Sequence, residues 1–161
     1  MTTELHRPVP ADRVGPTGLE VTLEADEAER AALARRMQVP GVLALRCTFR
    51  LVRLTAECVL AEGHLLAQVV QTCVVSLDDF AAQIDEHFRV RFVPAGQESD
   101  DPDPEADDEI GYTGSMLDLG EAAAEQLALA LDPYPRAPGA ALPEIEANAD
   151  AHPFAALRRR H

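Results

Sequence analysis

The three cysteines and five histidines are the residues whose chemistry is easiest to recognise in this chain. A structural zinc site takes about four Cys or His ligands, commonly in pairs about two to four residues apart. The stretch QTCVVSL places Cys73 alone, with Ser76 where a CxxC pair would have its second sulfur, and no histidine pairs closely with a cysteine. We therefore expect no metal and no cofactor. The odd number of cysteines favours free thiols in a reducing, cytoplasmic compartment.

Catalytic machinery is equally hard to assemble from the sequence. No GxSxG or similar nucleophile motif occurs, and His64 and His87 are the candidate general bases. His87 falls on the polar side of a predicted strand, which is typical of a solvated surface histidine. The acidic stretch 97–109 lacks the spacing and central glycine of an EF-hand loop. We predict no catalytic residues and place an enzyme last among the alternatives.

Charge is the strongest global signal, because the net charge is −14 and every basic residue is arginine. Phosphate backbones are repelled by such a chain, so we expect no DNA partner, whereas a basic protein partner is electrostatically favoured. Four arginines lie on the outward faces of two predicted strands: Arg46, Arg50, Arg89 and Arg91. If these strands are neighbours, the arginines form a patch for an RNA backbone; alternatively, they pair with Glu57 and Asp85 across the sheet.

Hydrophobic periodicity predicts where the strands lie. Residues 42–53 alternate with a period of two, as a half-buried strand does, which puts an apolar set on one face: Leu43, Leu45, Cys47, Phe49 and Leu51. Residues 56–75 continue as strand, where Gly63 marks a turn or a bulge, and 83–93 form another strand.

Two helices have clear start signals. Asp26 with Glu29 three residues later forms a capping box, and Pro40 ends the first helix. Asp118 caps the second with Glu121 at the third helical position, and Pro133 stops it. Few strands alternate with helices, which predicts an α+β fold: an antiparallel sheet of about four to six strands flanked by two helices.

The whole chain is predicted to be one domain, residues 1–161. Within it we expect an extended arm over 1–23, a mobile acidic loop over 97–116, and a proline-rich acidic tail over 137–161. The N-terminus has no signal-like apolar run and no stretch approaches membrane-span length, so the expectation is a cytoplasmic protein without a membrane partner.

Two motifs carry a family resemblance: QTCVVSLDDF at 71–80 and LDLGEAAAEQLALALDPYPRAPG at 117–139. In order and spacing they resemble the YceD family, the large ribosomal RNA subunit accumulation proteins. The segments ERAALARRMQVP and HPFAALRRR are similar to its alphaproteobacterial branch. The resemblance implies a non-enzymatic role in 23S rRNA accumulation and ribosome biogenesis. Family members often have a CxxC where this chain has Cys73 and Ser76, and this departure from the family pattern argues against a metal site here.

Our main hypothesis from the resemblance is a factor that binds a large-subunit ribosomal protein or assembly factor. The residues carried over as a family motif include Cys73, Leu127 and Leu131. Those proposed to bind the partner are Asp118, Leu119, Gly120, Glu121, Pro133, Tyr134, Pro135 and Arg136. Tyr134 either anchors a partner or packs inward. Direct rRNA binding through the four arginines is the alternative, and a metal-dependent nucleic-acid enzyme is the least favoured.

Overall fold

The computed structural model describes residues 4–97 and 107–137. The two helices are α1 (Glu27–Met37) and α2 (Leu119–Ala130). The seven strands are β1 (Pro8–Pro10), β2 (Leu19–Glu24), β3 (Gly41–Arg53), β4 (Val59–Thr72), β5 (Asp79–Pro94), β6 (Asp108–Tyr112) and β7 (Met116–Asp118). A single 3₁₀ turn, Ala11–Arg13, follows β1. The predicted tail 137–161 lies outside the described residues except for Ala137.

The main sheet has five strands in the order β2-β3-β4-β5-β6, and β1 and β7 form a separate two-stranded sheet. The prediction of an α+β fold with two helices and a sheet of four to six strands is confirmed. One pairing differs from the expected antiparallel arrangement, because β6 runs parallel to β5, with Val90 opposite Asp108. A parallel neighbour requires the chain to return to the start of the pairing region, which a tight hairpin cannot do.

One face of the main sheet and both helices share a single hydrophobic core. Phe49, Leu51 and Leu65 from the strands are fully buried in it, together with Leu33 of α1 and Leu127 of α2. Alternation in β4 passes through Gly63 without a turn or a bulge, since its ladder with β3 and β5 is continuous there. A side chain at position 63 would collide with the ring of Phe88, so the glycine makes room for that ring.

The predicted inward face of β3 is correct from Leu45 onward but wrong at Leu43. The register with β4 shifts between Val42 and Ala44, and this irregularity inverts the alternation at the start of the strand. Val42 is therefore buried and Leu43 is half exposed.

The capping box predicted for α1 is present, with Glu29 N donating to Asp26 Oδ1 and Asp26 N donating to Glu29 Oε1. Gln38 ends the helix in the left-handed conformation, two residues before the proline that was expected to end it. Asp118 caps α2 as predicted, accepting from Glu121 N. Both helix starts follow from short-range sequence signals.

Two predicted irregular segments contain regular structure. The extended arm 1–23 includes β1 and most of β2, and β1 pairs with β7 near the other end of the described chain. In the predicted acidic loop 97–116, residues 98–106 lie outside the described residues, but 108–112 form β6. Ile110 and Tyr112 of β6 pack against the core, so this part of the acidic stretch is held by apolar contacts.

Arg7 connects the starts of both helices. Its guanidinium donates to both carboxylate oxygens of Glu29, at 2.6 and 2.7 Å, beside the cap of α1. Its backbone N donates to Asp118 Oδ1 at 3.0 Å, and its carbonyl accepts from Leu119 N at 3.0 Å. The pair lowers the pKa of Glu29, chiefly through the hydrogen bonds from Arg7.

We predict that Gly120→Ala destabilises the protein. A methyl group there would lie 2.7 Å from the Leu5 carbonyl carbon and 2.9 Å from Arg7 N, and backbone atoms cannot move aside cheaply. The expected loss in unfolding free energy is about 1–3 kcal/mol, larger than the gain of at most about 1 kcal/mol from helix propensity. Chemical denaturation measures this, with Gly15→Ala as control because nothing lies within 4 Å of a methyl there. Equal effects of the two substitutions would contradict the prediction.

We also predict that Arg7→Ala lowers the unfolding free energy by about 1–2 kcal/mol near neutral pH, because charge-assisted hydrogen bonds are lost. Since the folded pKa of Glu29 is depressed, its contribution is complete above the ordinary value of 4.5 and is lost as the pH falls through the lower folded value. The difference between parent and variant should therefore shrink only below about pH 4.5. Arg35→Ala, at an exposed position of α1, is the control; a difference that is the same at all pH values would refute the role of Glu29.

Candidate partner-binding site

The two sequence motifs meet at one end of the molecule. Residues 73–78 turn the chain from β4 into β5, and residues 131–137 follow α2. Val74 N donates to Pro135 O at 2.9 Å, and the buried Gln71 side chain donates to Asp132 O at 3.2 Å. We call residues 71–78 and 131–137 the motif junction.

The turn in the motif junction has a defined backbone. Cys73 N donates to Asp78 O and Leu77 N donates to Cys73 O, both at 2.8 Å. Leu77 has a left-handed φ of 64°, which is costly for a residue with a branched apolar side chain. Such strain persists only where the surroundings hold the residue in place. The hydrogen bonds of the turn therefore hold the backbone of Leu77 in this conformation.

The Cys73 sulfur lies beneath this turn and is inaccessible to solvent. Hydrogen bonds from Ala137 N and from the Ser76 side chain and backbone lower the pKa of the Cys73 thiol to about 7, since they stabilise the thiolate, and reduced solvation opposes them by less. Ser76 N lies 3.4 Å from the sulfur. By contrast, burial raises the pKa of the Cys47 thiol to about 12.

Apolar side chains are exposed around the motif junction. Leu77 is 75% exposed, Tyr134 74% and Leu129, in the last turn of α2, 72%. Tyr134 N donates to Asp132 Oδ1 at 2.9 Å, and this hydrogen bond holds the backbone between Asp132 and Tyr134. Of the two predicted placements of Tyr134, the structure therefore shows the outward one. Asp78, Asp132 and Arg136 are the exposed charged residues of the two segments.

The predicted partner-binding residues fall into two separate groups. Pro133, Tyr134, Pro135 and Arg136 lie in the motif junction, whereas Asp118, Leu119, Gly120 and Glu121 lie at the start of α2, about 18 Å away along a helix of 12 residues. The second group is engaged within the fold. Leu119 and Gly120 are buried, and Glu121 forms an ion pair with Arg36 at 2.8 Å.

The four arginines do not form a continuous patch, because β4 lies between β3 and β5. Arg50 faces Glu20 on one side and Glu62 on the other, and Glu62 faces Arg89. Ion-pair contacts then join Arg46 to Glu24 at 3.7 Å, Arg89 to Asp107 at 3.6 Å and Arg91 to Glu109 at 3.7 Å. Charge pairing across the sheet occurs, but with acids other than the predicted Glu57 and Asp85.

Sequence reasoning missed Leu77 and Leu129 as exposed apolar side chains. Leu77 lies inside the QTCVVSLDDF motif, where a large apolar residue between Ser76 and two aspartates was the available signal. Leu129 was indistinguishable by type from its buried neighbour Leu127, and only its helical phase separates them.

The fold and the motif junction define an α+β protein in which one sheet supports a helix and a turn that meet at one end. The family model described as "Large ribosomal RNA subunit accumulation protein YceD" matches residues 61–158, more than half of the chain. The chain therefore belongs to the YceD family, which confirms the resemblance seen in its motifs. No curated protein and no solved structure matches it.

The family name implies a role in large-subunit rRNA accumulation and ribosome biogenesis. The family is related to ribosome assembly and is not a known enzyme family. In the described part of the chain, neither α1 nor α2 is long and apolar enough to cross a membrane.

We predict that Cys73→Ser removes a pH-dependent part of the stability. The folded pKa of about 7 lies below the ordinary 9.0, so the stabilisation by the thiolate is complete above 9.0 and is lost as the pH falls through 7. The parent should gain stability relative to the variant between about pH 7 and about pH 9, measured by denaturant unfolding. Cys47→Ser should lack this gain because its thiol stays protonated over that range. A difference in unfolding free energy between parent and Cys73→Ser that stays constant with pH would contradict stabilisation by the thiolate.

Proposed function

We propose that this protein is a non-enzymatic, cytoplasmic factor of large-subunit biogenesis that binds a basic ribosomal protein or assembly factor through the motif junction. One observation carries the proposal: two motifs, whose contacting residues Gln71 and Asp132 are 61 positions apart in sequence, meet beside exposed apolar side chains. Tyrosine and leucine on a fixed backbone lose little conformational entropy on binding, so they are suited to anchor a partner.

The backbone of the junction is held before binding. Val74 N donates to Pro135 O, Gln71 donates to Asp132 O, and Tyr134 N donates to Asp132 Oδ1. Prolines on either side of Tyr134 further restrict the backbone. This pre-organisation supports an interface role, because the cost of ordering is already met in the free protein.

Charge favours a basic partner. Asp78 and Asp132 are exposed at the junction, Asp79 is exposed directly after it at the start of β5, and the chain as a whole carries a net charge of −14. Ribosomal components that carry excess positive charge would be attracted over several ångströms, and salt would screen this attraction. The exposed Leu77 and Tyr134 side chains supply an apolar contribution to the binding free energy that salt does not remove.

Direct rRNA binding through Arg46, Arg50, Arg89 and Arg91 remains the alternative, and the charge pairing disfavours it. Glu62 lies between Arg50 and Arg89, and Glu24 contacts Arg46. A phosphate backbone would have to displace these carboxylates, which reduces the net gain from each phosphate contact.

We predict that the double variant Leu77→Ala/Tyr134→Ala loses its partner. Affinity capture of the tagged protein from its own cell extract should recover a large-subunit protein or assembly factor with the parent chain, with recovery falling as salt rises. Loss of two central anchors should weaken binding at least about tenfold, since single anchors are worth about 2 kcal/mol. Quantitative mass spectrometry of the captured fraction measures the loss.

The matched control is Leu54→Ala/Leu66→Ala, two leucines that are also exposed but lie outside the junction. This control should capture the partner as the parent does. Equal recovery of the partner with both double variants would contradict the role of the motif junction in binding. Capture of rRNA that resists protease and is lost on reversal of Arg50 and Arg89 would instead support the alternative.

A further inference from the structure

Two histidines and an aspartate gather on the outer face of the main sheet, away from the motif junction. His64 of β4 and His87 of β5 are direct partners in the antiparallel ladder. Asp85 precedes His87 by two residues on the same face of β5, as the period of a strand requires. These three residues are the polar cluster that neither the proposed function nor the core uses.

Their side chains are in mutual contact. The imidazole rings are stacked with centroids 4.0 Å apart and planes 10° from parallel, and His64 Nε2 lies 2.6 Å from Asp85 Oδ1. One ligand atom from each of the three residues lies within 4.8 Å of the other two. Metal–ligand bonds of about 2.0–2.2 Å place the donors of a tetrahedral ion roughly 3.3 Å apart. Small rotations about exposed side-chain bonds are therefore sufficient to bring the three donor atoms to this spacing.

The charges around the cluster are largely matched by opposite charges. In the neighbouring row of the same face, Glu62 faces Arg89, so these two charges offset each other. Leu66 is opposite Asp85, which leaves that carboxylate without a cation as its direct partner in the ladder. Thr48 of β3 faces His64 and brings no charge. On the same face Arg50 is opposite Glu20 and Arg46 contacts Glu24. A divalent cation at the cluster would therefore be attracted by Asp85, whereas the nearby arginines are each matched by a carboxylate.

We propose that His64, His87 and Asp85 bind a divalent transition-metal ion on the outer face of the sheet. Two imidazole nitrogens and one carboxylate oxygen form a donor set that suits zinc, nickel and copper better than magnesium or calcium. Three protein ligands leave a coordination position for water or for a group from a partner. The site differs from the cysteine-based one predicted to be absent, because it arises from the pairing of β4 with β5, which brings His64 beside both Asp85 and His87.

The experiment is a titration of the full chain, without an affinity tag, with zinc chloride and with nickel chloride. Zinc binding is followed by calorimetry, and the imidazole proton resonances of His64 and His87 are followed by NMR, where nickel broadens the signals of its ligands. We expect both histidines to respond together. His64→Gln and His87→Gln should each weaken zinc binding by at least about tenfold, the size of effect known even for residues that only support a ligand.

His6→Gln is the matched control, because His6 also contacts a carboxylate, that of Asp118 at 2.7 Å. It should bind zinc as the parent does. The same spectra show that each variant is folded, since all three substitutions are polar replacements of exposed or half-exposed side chains. Zinc that leaves the resonances of His64 and His87 unchanged, or that binds His64→Gln and His87→Gln as tightly as the parent, would overturn the proposal.

Discussion

The contact on which much of the structure depends is the one Arg7 makes with the starts of both helices. Its side chain holds Glu29, which completes the cap of α1, while its backbone holds Asp118, which caps α2. Each cap satisfies backbone donors that a helix cannot satisfy itself. Because α2 leads directly into the PYPR segment, the position of Tyr134 depends on a residue at the other end of that helix. Glu29 and Asp118 therefore have structural roles that their sequence signals only partly reveal.

Gly120 adds a steric constraint to this electrostatic one. The arm approaches α2 so closely at this residue that the backbone of Leu5 and Arg7 occupies the volume of a side chain. The LDLGEAAAEQ part of the family motif thus serves the docking of α2 in the fold more than the binding of a partner. Partner contact is left to the junction, where Leu77 and Tyr134 are exposed. This division explains why one motif contains both buried and exposed residues.

Features that depend on local sequence signals could be predicted from the sequence, whereas long-range strand pairing could not. The predictions of both helix caps were correct because a cap depends on residues three positions apart. Leu43 was misplaced because a register shift in β3 depends on β4, and no residue type marks it. Strand β6 was hidden in an acidic stretch, since Ile110 gains its burial only by pairing beside Phe92. The separation of Arg50 from Arg89 required the strand order, which single-strand patterns do not contain.

The pairing of β1 with β7 has a consequence for the order in which the chain folds. Arg7 and Asp118 are 111 residues apart, so the arm is synthesised well before its partner and can pair only after nearly all of the described chain exists. Closing so long a loop costs entropy before any contact repays it, and such non-local pairings slow folding. The β3–β4 and β4–β5 hairpins, with short connections, can form earlier. The arm therefore closes late onto β7 and the start of α2.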